Sequence, residues 1–205
     1  PVRPVTRIAP VAAAGVLGAS ADLRISTIVM DETFTGEGEL EHAPSRIVES
    51  GRHLVLRFRR PGPLNTSRRL LAAVPPLMER QPGFSAAWEV VRRIAGQAGT
   101  GIMLLAGRAT LEQMVRRKLL DPGDPGTETG QVDDWHDLSD EIRSRFVDGD
   151  LPVLFMARRG RLSWQPVQDR LPAMLQRSLP DVSILKVFPP EMKWETEERS
   201  GPRSG

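Results

Sequence analysis

The sequence predicts a mixed α/β fold, with a small β-rich part near the N-terminus followed by alternating helices and short strands. Three observations support this prediction. Hydrophobic residues make up 40% of the 205 residues and charged residues 26%, which is ordinary for a globular chain with a core of its own. Short apolar runs of strand length recur along the chain, and stretches with the helical spacing of apolar residues lie between them. That alternation is typical of α/β proteins.

The N-terminal part is predicted to contain strands but no helix. Residues 1–22 are expected to form a flexible leader, and residues 23–62 a β-rich segment. The β-branched run Arg24–Met30 predicts a strand, and so does Arg52–Arg59, in which apolar and polar residues alternate. Ser45–Glu49 is predicted to be another short strand, because the Ser-Gly pair that follows it indicates a hairpin.

The breaker Pro61-Gly62-Pro63 is predicted to separate this part from an α/β domain over residues 63–195. Helices are expected over residues 65–74 and 85–99, each with a polar capping residue near its start. The apolar run Gly101–Gly107 then predicts a buried strand.

The rest of the domain is predicted as further helices and strands around one long loop. Asp121–Asp133 is expected to be that loop, because it is rich in Gly and Pro. Pro166 suits the first turn of a helix, where its missing N–H costs nothing. The remaining predicted elements are helices over 110–120 and 139–147, a strand over 151–157, the helix opened by Pro166, a strand over 182–188 and a disordered tail over 196–205.

Composition excludes several classes of function. Cysteine is absent, so disulfides, thiolate metal ligands and a cysteine nucleophile are excluded. The 28 Lys and Arg residues nearly balance the 26 Asp and Glu residues, so bulk charge gives little support for nucleic-acid binding. No apolar run reaches the roughly 18 residues that a membrane span needs. We expect a soluble, cytoplasmic protein, with secretion as the alternative because residues 8–19 partly mimic a signal peptide.

One cluster combines a histidine with carboxylates. His136, Asp134 and Asp137 are the candidate residues for a metal site or for acid–base catalysis. The alternative interpretation, which the sequence favours, is that Asp137 or Ser139 caps the following helix. The other two histidines, His42 and His53, are too distant in sequence to complete a site by a local motif.

Other catalytic motifs are missing. The glycines of residues 96–101 follow a predicted helix and precede a strand, whereas a phosphate-binding loop needs the opposite order. No serine lies in a Gly-x-Ser-x-Gly elbow. We therefore expect no cofactor and a non-enzymatic function, with a small enzyme centred on His136 as an alternative.

An arginine-rich segment offers a second alternative, nucleic-acid binding. Clustered arginines can contact phosphates. Single-strand binders also need aromatic side chains for stacking, and this chain has no tyrosine. The candidate residues are Arg57, Arg59, Arg60, Arg68 and Arg69.

Several short motifs follow one another in the second half of the chain. They are Gly101–Leu105, Leu111-Glu112-Gln113, Leu151-Pro152-Val153-Leu154, Arg161-Leu162, Leu175-Gln176-Arg177-Ser178-Leu179-Pro180-Asp181, Ile184-Leu185 and Pro189-Pro190-Glu191. With these motifs, residues 64–195 resemble the C-terminal cytoplasmic region of the large export-gate protein of flagellar and virulence type III secretion. In that resemblance, paired helices near Ser67–Arg93 would match the helical subdomain of the family, while residues 1–60 have no counterpart.

The resemblance implies a protein-interaction or assembly module linked to type III-like protein export. It implies other proteins as partners, and self-association into a ring. It assigns no functional residue, because the family's chaperone-docking surface lies mainly outside the matching motifs.

Overall fold

A computed structural model describes residues 4–6, 8–32, 39–59 and 67–191. The fold is mixed α/β, as predicted, and the strands within these ranges form one seven-stranded sheet. The strands are β1 (Thr27–Asp31), β2 (Leu54–Arg59), β3 (Arg69–Val74), β4 (Gly101–Ala106), β5 (Thr127–Gln131), β6 (Asp150–Phe155) and β7 (Ile184–Phe188). The α-helices are α1 (Ala12–Asp22), α2 (Glu39–Glu49), α3 (Phe84–Ala98), α4 (Arg108–Arg116), α5 (Leu138–Arg145) and α6 (Pro166–Ser178).

The sheet combines two parallel units of opposite direction. Its strand order is β1-β2-β7-β6-β3-β4-β5. Strands β7, β6, β3, β4 and β5 are parallel to one another, and β1 is parallel to β2. The two units join where β2 pairs antiparallel with β7. We call this β2–β7 pair the seam.

Helices cover both faces of the sheet. One core packs α3 and α4 against the sheet, through residues such as Trp88, Val91 and Met114. The other core packs α1, α2, α5 and α6 against the opposite face, through residues such as Ile47 and Leu171. Central strands buried on both faces read as continuous apolar runs. No helix among the described residues is long and apolar enough to cross a membrane.

The prediction of a flexible leader is wrong for residues 12–22, which form α1. Ala13, Gly15 and Ser20 are buried on this helix, and α1 packs against α2. Small side chains let two helices approach closely, so an Ala/Gly-rich stretch with weak amphipathic character still forms a packed helix here.

The predicted hairpin in the N-terminal part is also wrong. Ser45–Glu49 belongs to α2, in which Ala43 and Ile47 lie one turn apart and are both buried. Gly51 has φ +67° just after this helix, a backbone conformation that glycine adopts easily at a helix end. Strands β1 and β2 are therefore the parallel strands of a β–α–β unit rather than neighbours in a hairpin.

The described part of residues 23–62 does not form a β-rich unit of its own. β2 hydrogen-bonds to β7 along five residue pairs, from Val55–Phe188 to Arg59–Ile184, so the N-terminal unit shares one sheet with the rest. The predicted boundary at Pro61-Gly62-Pro63 and the predicted tail over 196–205 lie outside the described residues.

Two elements of the second half were also misassigned. The helix expected over 65–74 is strand β3, whose Leu70–Val74 are all nearly inaccessible. It lies at the centre of the parallel sheet, so the first of the paired helices in the export-gate resemblance is a strand. The loop expected over 121–133 contains β5, a polar strand at the sheet edge.

The other predicted elements are confirmed within a few residues. They include α3 with its left-handed stop at Gly99, and α6 with Pro166 in its first turn. Strands β4, β6 and β7 also match their apolar runs.

Candidate functional site

A groove runs along the seam on the sheet face that carries α2 and α6. Helix α2 connects β1 with β2, and α6 connects β6 with β7, so the two helices flank the antiparallel pair and leave the strip between them uncovered. Five residue pairs at about 3.3 Å per residue give a length of roughly 15 Å. We call this depression the seam groove.

The seam groove consists of two adjoining cavities that share Arg57 and Lys186. The larger has a volume of about 600 Å³ and lies between α2, α6 and the loop after β6. The smaller, of about 370 Å³, extends toward Glu32, Arg59 and Gln176. These volumes lie in the range of ordinary ligand sites in proteins.

The floor of the seam groove carries three basic side chains. Arg57 and Lys186 face each other directly across the seam, and Arg59 is the next residue of β2 on the same face. Like charges directly opposite in a sheet destabilise it. The neighbouring residues on this face, Val55 and Phe188, belong to the hydrophobic core, so the basic floor breaks the local pattern. Such breaks concentrate at functional sites.

One carboxylate balances this floor. Glu32 Oε1 lies 2.8 Å from Lys186 Nζ and 3.2 Å from Arg57 Nε. The Glu32 side chain is only 8% exposed, compared with 15% for Lys186 and 25% for Arg57. Arg59 makes no ion pair with any other described residue. Counted over the described residues, the floor therefore keeps a net positive charge.

Burial also acts on the charge of Lys186. Desolvation lowers its pKa, the carboxylate of Glu32 opposes that effect, and the positive charges of Arg57 and Arg59 add to it. An additional negative charge at this position would favour the protonated amine. The lysine is therefore placed to gain from an incoming anion.

The loop after β6 forms one wall of the larger cavity of the seam groove, and ion pairs fix this loop in place. Arg161 forms a bidentate ion pair with Glu191, and Arg159 forms an ion pair with Asp169 in the first turn of α6. The guanidinium of Arg158 is buried and donates to the carbonyls of Val48, Pro189 and His53. These contacts build the wall of the groove and leave the charge of its floor unchanged.

The His136 cluster is a local cap. Asp134 accepts a hydrogen bond of 2.8 Å from the His136 backbone N–H, at the start of a short 3₁₀ helix over Trp135–Asp137. Its side chain also contacts His136 Nδ1 at 3.0 Å. These two contacts lower the pKa of Asp134. The capping residue is thus Asp134, whereas Asp137 makes no capping hydrogen bond to α5.

The described side chains around His136 do not form a metal site. His136 is exposed, His42 lies on α2 and His53 is buried at the start of β2. Within the described ranges, no three His, Cys, Asp or Glu side chains converge in a way that could hold a metal ion.

The arginine-rich segment is divided by the fold. Arg57 and Arg59 lie in the seam groove, whereas Arg69 opens β3, which β7 and β6 separate from β2 in the sheet. Arg69 donates hydrogen bonds to the carboxylate of Asp150, at 2.7 Å, and to the carbonyl of Arg145. Arg68 is exposed, and Arg60 lies outside the described residues. Arg57 and Arg59 therefore do not share a site with Arg69.

Sequence reasoning missed Lys186 and Glu32. A signal for Lys186 was present, since it alternates with Ile184 and Phe188 in a strand whose inward positions are otherwise apolar. Glu32 gave no local signal, because its role depends on β1 lying beside β2.

His53 predicts a pH dependence of stability. Burial, and then the charge of Arg52, lowers its pKa below 6.5, so below that pH the unfolded chain binds more protons than the folded one. The free energy of unfolding should therefore fall as the pH drops from about 6.5, by at most about 1.4 kcal/mol per pH unit. Urea unfolding at about pH 7 and pH 5.5 should show a smaller drop in His53→Gln than in the native protein. The exposed His42→Gln should behave as native, and an equal drop in all three proteins would contradict the assignment.

No protein-family model matches the chain, and no curated protein matches it significantly.

Proposed function

We propose that the protein is a non-enzymatic interaction module that binds an acidic segment of a partner protein in the seam groove. The observation that carries this proposal is the floor of Arg57, Arg59 and Lys186, to which the described part of the chain supplies one acid, Glu32. A second copy of this chain that presents acidic residues is one such partner. The link to type III-like export is proposed on the sequence resemblance alone.

The shape of the seam groove supports an extended occupant. The groove opens at the surface and follows the direction of two strands over about 15 Å, the length of four to five extended residues. Side chains of an extended peptide alternate with a period of two, so every second residue would face the floor. A segment with alternating acids would place one carboxylate at the level of Arg57 and Lys186 and the next at the level of Arg59.

The test is peptide binding measured by fluorescence anisotropy. A labelled hexapeptide of alternating Glu and Ala should bind the native protein, and its Gln-for-Glu counterpart should not. Lys186→Met should weaken binding about fivefold or more, because it removes a partly desolvated charge from the floor. Raising the ionic strength to about 0.5 M should weaken native binding, since surface charges are then screened.

Lys118→Met is the matched control, because Lys118 is an exposed lysine at the end of α4 and lies outside the seam groove. It should bind the acidic peptide within about twofold of native. Equal binding by Lys186→Met and native protein would overturn the proposal. Binding of a labelled single-stranded oligonucleotide in place of the peptide, lost in Lys186→Met, would transfer the groove to nucleic acid.

A further inference from the structure

Glu32 fills the position that a ligand's acid would take in the seam groove. Its backbone N–H donates to the carbonyl of Phe58 at 2.9 Å, which fixes the residue beside the end of β2. From there the side chain reaches the floor, where Oε1 lies within 3.2 Å of both Lys186 Nζ and Arg57 Nε. The protein thus supplies a carboxylate to its own basic floor.

The contact between Glu32 and Arg57 is close but poorly aligned. Glu32 Oε1 and Arg57 Nε are within ion-pair distance and both are buried, yet they form no hydrogen bond of normal geometry with each other. Charge-assisted hydrogen bonds are strong when their geometry is good. A free carboxylate or phosphate can orient itself better than a side chain anchored at the end of β1.

We propose that Glu32 is a built-in competitor for the ligand of the seam groove, and that an incoming anionic group displaces its carboxylate from Lys186 and Arg57. This inference rests on the proposed function and adds its regulation. A tethered acid has a high effective concentration at the floor, so a single weak acid competes poorly with it. The groove is therefore selective for segments with several acids, which gain further contacts with Arg59.

The first experiment is done without any partner peptide and uses inorganic phosphate as the probe. Glu32→Gln frees the floor, so about 50 mM phosphate should raise its Tm by about 2 °C or more above the effect of chloride at equal ionic strength. Native protein should show a shift of less than half that size. Each shift is measured within one variant, so the stability that Glu32→Gln itself loses does not enter the comparison.

Glu49→Gln is the matched control. Glu49 is an exposed acid on α2 that also lines the seam groove, but it contacts neither Lys186 nor Arg57. Glu49→Gln changes the net charge of the groove by the same amount as Glu32→Gln, but it frees no cation. The rise in its Tm with phosphate should therefore match that of the native protein. Equal shifts in Glu32→Gln and Glu49→Gln, or none in Glu32→Gln, would overturn the competitor role.

The acidic hexapeptide separates this inference from the proposed function. Glu32→Gln should bind the peptide about fivefold more tightly than native protein, a change opposite in sign to that of Lys186→Met. If phosphate stabilises Glu32→Gln but no variant binds the peptide, the acidic segment is rejected as the ligand, while the role of Glu32 as a competitor stands. Equal peptide affinity in native protein and Glu32→Gln would keep the binding function and reject the competitor.

Discussion

Replacing Arg158 by methionine is expected to destabilise the protein by about 3 kcal/mol, because it leaves buried backbone carbonyls without their donor. The arginine is 8% exposed. Its guanidinium donates to the carbonyls of Val48, Pro189 and His53, and Glu191 lies 4.0 Å away. Burial lowers the pKa of Arg158, and Glu191 opposes that effect. Val48 lies in the last turn of α2, His53 directly precedes β2 and Pro189 directly follows β7, so one side chain connects three segments.

Urea unfolding at pH 7 measures this loss, and Arg159→Met is the control. Arg159 is the next residue in the chain, but its side chain is mostly exposed and pairs with Asp169 at the surface. An exposed pair contributes little, so Arg159→Met should stay within about 0.5 kcal/mol of native. Similar losses for the two variants would show that the carbonyl contacts of Arg158 do not carry the effect.

Gly83→Ala is the second substitution with a large expected effect, a loss of about 2–3 kcal/mol from overpacking. A Cβ atom on Gly83 would lie 2.2 Å from the carbonyl oxygen of Pro190 and 2.4 Å from its ring. Pro190 is itself buried just after β7. The backbone between β3 and α3 must therefore separate from the end of β7, and the Tm should fall accordingly.

Gly96→Ala is the matched control for this prediction. Gly96 lies in α3, and a Cβ atom there would meet nothing within 4 Å. Alanine is the better helix former by about 0.8–1 kcal/mol, so this variant should be more stable than native. Opposite signs for the two substitutions are the expected result in thermal unfolding. A neutral Gly83→Ala would contradict the close packing of Gly83 on Pro190.

Local patterns predicted the elements whose sequences fit only one kind of structure. The β-branched run of β7 and the helical spacing of Trp88, Val91 and Ala95 in α3 are of this type. The run of β3, Leu70-Leu71-Ala72-Ala73-Val74, suits a buried helix as well as a central strand, and the parallel sheet decides between them. β5 is too polar to be recognised, because edge position and pairing with β4 make it a strand.

The candidate site was only half visible from the sequence. Arg57 and Arg59 were identified as basic candidates, but grouped with Arg69, which lies elsewhere and pairs with Asp150. Their true neighbour, Lys186, is distant in the chain and reaches them through the antiparallel seam. Pairing between strands so far apart leaves no local trace in the sequence. The same holds for Glu32.

The seam also sets the order in which the chain can complete its fold during synthesis. β2 is made early, yet the strand with which it pairs, β7, is the last of the described strands to be made. During synthesis, the edge of β2 in the N-terminal β–α–β unit stays unpaired until β7 is available. Unpaired strand edges can pair with strands of other chains. Contacts of this sequence separation also slow folding. Until β7 has been synthesised, the edge of β2 in the nascent chain can therefore pair with the wrong strand.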